Sequence, residues 1–146
     1  MKSVQKITRV QLKINKTDEI IILGLVSAEP DYKLSQAINK KFSISLKNSS
    51  PVKVADDTQS ELTFSRFSDT KSSSGIVFNL VSNRTGKQYL LRKLKNVDYI
   101  FQVHDPENEN NIDTLTASLR EIESVNAVFN IDLNTFKDKN LLYLTQ

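Results

Sequence analysis

His104 is the only histidine in the chain, so any acid–base step or triad that relies on imidazole has to use it. It follows a strand-like run and precedes the acidic stretch Asp105–Glu109, which places it in an exposed loop near carboxylates. The chain has no cysteine and no nucleophile elbow, so the plain reading is a surface histidine without catalytic partners. One histidine without cysteine also falls short of a zinc ligand set. Asp105, Glu107, Glu109 and Asp113 have neither the bend glycine nor the terminal glutamate of a calcium loop. They read as a solvated lead-in whose charge suits a helix N-terminus. The three glycines, Gly24, Gly75 and Gly86, cannot write a Walker or dinucleotide loop. No pair of carboxylates stands out for hydrolysis. The expectation is therefore no catalytic residue, no metal and no cofactor.

The basic stretch Arg84, Lys87, Arg92, Lys93 and Lys95 is the best candidate binding surface, because a hairpin would let these side chains line phosphates. Tyr89 interleaves with them and could stack on a base. The aromatic run of an RNA-recognition sheet is absent, however, and lysines on an edge strand also serve to block unwanted pairing. Asp98 and Tyr99 fall next to each other on a strand and so face opposite sides. Tyr99 shares its face with Phe101, which makes it core with a hydroxyl needing a partner at the rim. Asp98 is expected to accept backbone N–H groups or to pair with Lys95, fixing the strand's start.

Strand periodicity dominates the elements that must position these residues. Val10, Leu12 and Ile14 alternate with Arg9, Gln11 and Lys13, the period-2 pattern of a half-buried strand. Ile20–Val26 is apolar on both faces, as in a strand covered on both sides, and its proximity predicts a hairpin with the first run. A helix follows, with Pro30 near its first turn or Asp31 as cap, and Leu34, Ala37, Ile38 and Lys41/Phe42 along one face. Lys47–Gln59, rich in Ser, Asp and Pro, reads as a loop. Leu62 and Phe64 mark a third strand; Asp69–Ser74 a turn; Ile76, Phe78 and Leu80 a fourth strand. Asn83–Lys87 forms a hairpin turn around Gly86, with Gln88–Leu91 pairing back. Val97, Tyr99, Phe101 and Val103 line one face of a further strand. Asn110 or Asn111 caps a second helix that presents Ile112, Leu115, Leu119 and Ile122. Val125, Ala127, Phe129 and Ile131 make a late strand, and Leu141–Leu144 a short terminal one. The sum is an α+β fold, a mainly antiparallel sheet of five or more strands with two amphipathic helices packed on it, as one domain over residues 1–146.

The segment Leu91-Arg92-Lys93-Leu94-Lys95-Asn96-Val97-Asp98-Tyr99 resembles the signature of the IPExxxVDY family, a bacterial family without an established function. Val97-Asp98-Tyr99 matches; Leu91, Arg92 and Lys93 stand where the signature has Ile, Pro and Glu. Gly24-Leu25-Val26-Ser27 running into Pro30-Asp31-Tyr32-Lys33-Leu34, Ile38-Asn39-Lys40-Lys41, and Phe78-Asn79-Leu80-Val81-Ser82-Asn83 are similar to other parts of the family. The resemblance implies no activity, catalytic residue or cofactor; Val97, Asp98 and Tyr99 are read as structural because no base–nucleophile set accompanies them.

At 146 residues the chain is long enough to bury a core without staples, and without cysteine it can hold neither disulfides nor thiolate chemistry. Met1–Lys13 has no continuous apolar stretch of the kind a signal peptide needs, and Ile20–Val26 is too short to span a bilayer. A soluble, cytoplasmic protein is expected. Residues 1–104 carry 17 Lys/Arg against 9 Asp/Glu, a balance of +8, whereas residues 105–146 carry 3 against 8, a balance of −5. The simplest account is that one end of the chain covers the other and the charges partly pair. The composition fits a non-enzymatic interaction or structural protein whose partner is another protein or a second copy of itself. The alternative is an RNA-associated accessory protein using the basic hairpin, and an enzyme with an unrecognised carboxylate or lysine site comes third.

Overall fold

The computed structural model describes residues 20–55, 61–70, 75–106, 111–132, 135, 136, 138, 140 and 144. Among the described residues there are eight strands and two helices: β1 (Ile20–Val26), α1 (Asp31–Phe42), β2 (Lys47–Ala55), β3 (Glu61–Asp69), β4 (Val77–Ser82), β5 (Arg84–Thr85), β6 (Gln88–Tyr89), β7 (Tyr99–His104), α2 (Ile112–Arg120) and β8 (Ala127–Asn130). Six strands form one sheet in the order β2-β3-β4-β7-β1-β8, and β5 and β6 form a separate ribbon. Every neighbouring pair is antiparallel. The expected α+β layout is what the chain adopts.

Both sheet faces are apolar, and each has its own cover. Leu23, Leu25, Phe67, Leu80, Phe101 and Val103 meet Leu34 and Ile38 of α1 and Leu115 and Leu119 of α2. Phe101 stacks between Phe42 and Phe78, with ring centroids 6.1 and 6.0 Å away. On the opposite face Ile22, Phe64, Val81 and Ile100 are covered by Leu90 and Leu91, with Ile131 and Leu144. Neither α1 nor α2 contributes to that second cluster, and the segment between β4 and β7 acts as its lid. The continuous apolar run of β1 follows from this arrangement: Leu23 and Leu25 face the helices while Ile22 faces the lid.

Local chemistry fixes the helix ends. The Pro30 carbonyl accepts from the Lys33 and Leu34 N–H groups at 3.1 and 3.0 Å, so proline is the N-cap, and Asp31 opens the helix. At the other end Ser43 adopts the left-handed region (φ 55°) and its N–H donates to the Asn39 carbonyl. Asn39 then bonds the Leu46 backbone both ways, its amide donating at 3.2 Å and its Oδ1 accepting at 2.6 Å, which sets the start of β2. Asn111 is the cap of α2, accepting from Asp113 and Thr114 N–H.

Several expectations need correction. Lys47–Ala55 is a strand, because Val52 and Val54 bury beneath the second face. Its register shifts between Ser49 and Val52, so Pro51 sits in a bulge on the sheet edge, where a missing N–H removes no ladder bond. Its low apolar content hid the alternation. Of Gln88–Leu91 only Gln88 and Tyr89 pair, with Thr85 and Arg84, and the two leucines turn inward. Val97 precedes β7 and packs over Gly24 instead of sharing the face of Tyr99. In the last strand Val125 and Val128 join the helix-side core, while Phe129 is exposed. β1 pairs with β7 and β8; Val10–Ile14, its expected partner, lies outside the described residues, as do 141–143 of the terminal strand. Leu144 is buried in helical conformation. Asp105, expected in a solvated loop, is 1 % exposed.

A Cβ on Gly24 would meet Val97 Cγ2 at 3.0 Å and Val97 Cγ1 at 3.1 Å. Gly24→Val therefore overpacks the β1–lid contact and should lower stability by about 1–3 kcal/mol, read as a lower urea midpoint with an unchanged slope.

Candidate functional site

The lid is organised by Asn83, which is 0 % exposed. Its N–H donates to the Asp98 carbonyl at 2.9 Å and its carbonyl accepts from Leu90 N–H at 2.8 Å. Its side-chain oxygen accepts from Leu91 N–H at 2.8 Å. Its amide nitrogen donates to the carbonyls of Leu94 and Val97, both at 2.9 Å. Both amide hydrogens and both oxygens are engaged, so the burial carries no unsatisfied polar group. A sixteen-residue excursion from β4 to β7 is thereby closed at five points around one side chain and its own peptide groups. Asn140 adds a further brace, donating to the Leu90 carbonyl at 2.7 Å.

Closing the lid brings Arg84 beside the start of β7. Asp98 Oδ1 lies 2.8 Å from Arg84 Nη2, and Asp98 Oδ2 accepts from Ser27 N–H at 2.9 Å. The Asp98 N–H donates to the Leu25 carbonyl at 2.9 Å. Tyr99 then donates its hydroxyl to the Glu29 carbonyl at 2.6 Å, while Ser27 Oγ accepts from Glu29 N–H at 3.2 Å. Asp98 and Tyr99 thus hold the β1–α1 connection from two sides. A cleft of about 320 Å³ remains at this point, lined by Ser27, Glu29, Pro30, Arg84, Asp98 and Tyr99 among others.

Burial, reinforced by the nearby carboxylates of Asp31 and Asp98, pushes the Tyr99 hydroxyl up to about 12 from its ordinary 10.0. It is a hydrogen-bond donor at neutral pH. Asp98 has each oxygen occupied by a fixed donor, one of them a backbone amide, which leaves it poorly placed to take a substrate proton. The chemistry this group of residues supports is bracing. Of the two partners expected for Asp98, the backbone amide is present and the cation is Arg84 in place of Lys95; Arg84 is brought close by the β5–β6 ribbon, a long-range placement.

The basic candidates divide. Arg84 faces Asp98, and Tyr89 is half-buried, whereas Lys87, Arg92, Lys93 and Lys95 are exposed along the lid. His104 ends β7 opposite Ile20 of β1 and Val77 of β4, half-buried in the sheet and not in a loop. Among the described residues no group of three or more histidines, cysteines and carboxylates could hold a metal ion. Sequence reasoning missed Asn83, placed in a turn, and Ser27. The signal for Asn83 was weak: a lone amide between the buried run of β4 and the hairpin.

A second cleft, of about 420 Å³, opens between the lid and β8 and is lined by Leu94, Val97, Phe129, Ile131 and Phe136 with polar residues at its rim. Phe129 is 42 % exposed there. Comparison with known protein families, curated proteins and solved structures gave no match. No described helix is long and apolar enough to cross a membrane.

Two outcomes follow from the lid geometry. Asn83→Ala leaves several buried backbone groups without partners and should cost about 3 kcal/mol or more, seen in chemical denaturation as a lower midpoint. Tyr99 has a folded pKa above its unfolded one, so its contribution to stability is complete below pH 10 and is lost as pH rises through about 12. Ultraviolet titration should show one of the four tyrosines ionising late, and Tyr99→Phe should remove that late step.

Proposed function

We propose that this protein is a non-enzymatic interaction protein that works in the cytoplasm by presenting a surface to another protein. The observation that carries the reading is Phe129, exposed on β8 beside an apolar cleft, on a strand edge that no described residue pairs. The opposite edge, β2, is guarded by a bulge, a proline and exposed lysines. Among the described residues nothing pairs with the outer side of β8. An aromatic at the middle of an accessible strand next to an apolar cleft is the kind of anchor that protein contacts use. The ionisable residues that converge elsewhere, Arg84, Asp98 and Tyr99, are engaged in bracing, which favours a binding role over catalysis. The cytoplasmic assignment draws on Met1–Lys13, whose alternation of charged and apolar residues offers no continuous apolar stretch of the signal-peptide kind. The resemblance to the IPExxxVDY family adds no activity to this reading.

Affinity capture from native cells, with and without nuclease, tests this. A protein retained at high salt, resistant to nuclease and lost with Phe129→Asp is the expected result. Material released by nuclease, or retained equally by the variant, would overturn the reading. A second reading, RNA association, draws on one observation: the stretch from Thr70 to Val97 has no Asp or Glu, and Lys87, Arg92, Lys93 and Lys95 are exposed in it. It requires RNA affinity that falls steeply with salt and drops about tenfold or more when Arg92 and Lys93 are both changed to Glu; an unchanged affinity defeats it.

A further inference from the structure

Leu90, Leu91 and Val97 of the lid are each 0 % exposed, yet the main-chain bonds described for Leu90, Leu91, Leu94 and Val97 join them to no strand of the six-stranded sheet. Leu90 N–H donates to the Asn83 carbonyl and Leu91 N–H to Asn83 Oδ1, at 2.8 Å each. Leu94 N–H donates to the Leu91 carbonyl at 3.0 Å and Val97 N–H to the Leu94 carbonyl at 3.1 Å. The Leu94 and Val97 carbonyls accept from the Asn83 amide, and the Leu90 carbonyl from that of Asn140. The sheet beneath is held differently. β1 pairs along both edges, with β7 and β8, and the helices cover its other face. The lid can therefore leave while the ladder and the helix-side core stay closed.

Its bonds are not independent of one another. The turns Leu91–Leu94 and Leu94–Val97 are single loops of chain, too short to persist alone in water. Once one partner leaves Asn83, water reaches the amide and competes for the rest. The ends of the lid are fixed: Asn83 N–H donates to the Asp98 carbonyl, and Asp98 N–H to the Leu25 carbonyl of β1, both at 2.9 Å. Segments closed in this way open as contiguous units, below the free energy of global unfolding. Leu94, Asn96 and Val97 also line the cleft beside β8. We propose that residues 84–97 open and close as one unit, hinged at Asn83 and Asp98, and that closure builds the lid-side wall of this cleft. Anything seated against that wall binds the closed lid alone and slows its opening. The opening needs no partner; its consequence for binding deepens the interaction reading above and rests on it.

Native-state hydrogen exchange on the full-length protein, followed by NMR at rising urea, tests the unit. The amides of Leu90, Leu91, Leu94 and Val97 should share one opening free energy and one urea slope, both smaller than those of the β1–β7 ladder. Asn140→Ala should speed all four about tenfold, although of the four it bonds Leu90 alone. Ile122→Val, in the helix-side core, should speed the ladder amides about threefold or more. It should leave the four lid amides as they were, because an open lid leaves that core closed. Four unrelated opening energies, exchange in step with the ladder, or an Asn140→Ala effect confined to Leu90 overturns the inference. A lid that opens as one unit in a protein that captures nothing through Phe129 sinks the interaction reading and spares the lid.

Discussion

A primary amide sealed away from water has two donors and an acceptor to satisfy, and leaving any one unmet costs about 1–3 kcal/mol. Asn83 meets that demand by gathering backbone groups from Leu91, Leu94 and Val97 around itself, while its own peptide groups bond Leu90 and Asp98. The cost of an incomplete set makes the arrangement close to all-or-none. The lid has little regular structure of its own beyond a two-strand ribbon, so this network supplies the order that a helix would otherwise provide. Leu90 and Leu91, both 0 % exposed, are aimed at the sheet as a result.

The rest of the molecule is consistent with that constraint. A six-stranded sheet with helices on one side leaves its other side to be covered. The lid, with the residues after β8, does so. Once the lid is seated, Arg84 reaches Asp98, Asp98 reaches Ser27, and Tyr99 reaches Glu29. The turn into α1 is therefore tied to the strand on which the lid ends. Arg84 is half exposed, so solvent screens its ion pair and the pair alone contributes little. The amide and hydroxyl bonds of Asp98 and Tyr99 are the firmer links, because they satisfy backbone groups that burial would otherwise strand.

Surface chemistry follows from the same geometry. The lid's exposed cations stand on the face away from its buried leucines, and its last turn forms one wall of the cleft beside β8. Ile131, Asp132, Thr135 and Phe136, after β8, form the other. The two sheet edges differ in kind: β2 carries a bulge with proline, whereas β8 carries an exposed phenylalanine.

Period and composition were enough to identify β1, β4, β7 and both helices, because each carries an apolar pattern dense enough to register at its own spacing. The core role of Tyr99 and the backbone bonding of Asp98 were legible for the same reason, since a strand alternates its faces. β2 was not legible: Val52 and Val54 are its only buried positions, and a polar edge strand looks like a loop until a partner such as β3 completes its ladder. Nor was the inward turn of Leu90 and Leu91, the displacement of Val97 onto Gly24, or the meeting of Arg84 with Asp98. Each of these depends on contacts between residues far apart in the chain, and no local preference encodes them. What the sequence determined by itself was which segments could be strands and helices and which chemistries lacked their residues. Only the tertiary structure decided that an asparagine in a turn would be buried, because a polar side chain goes inside only where the folded chain brings every partner it needs.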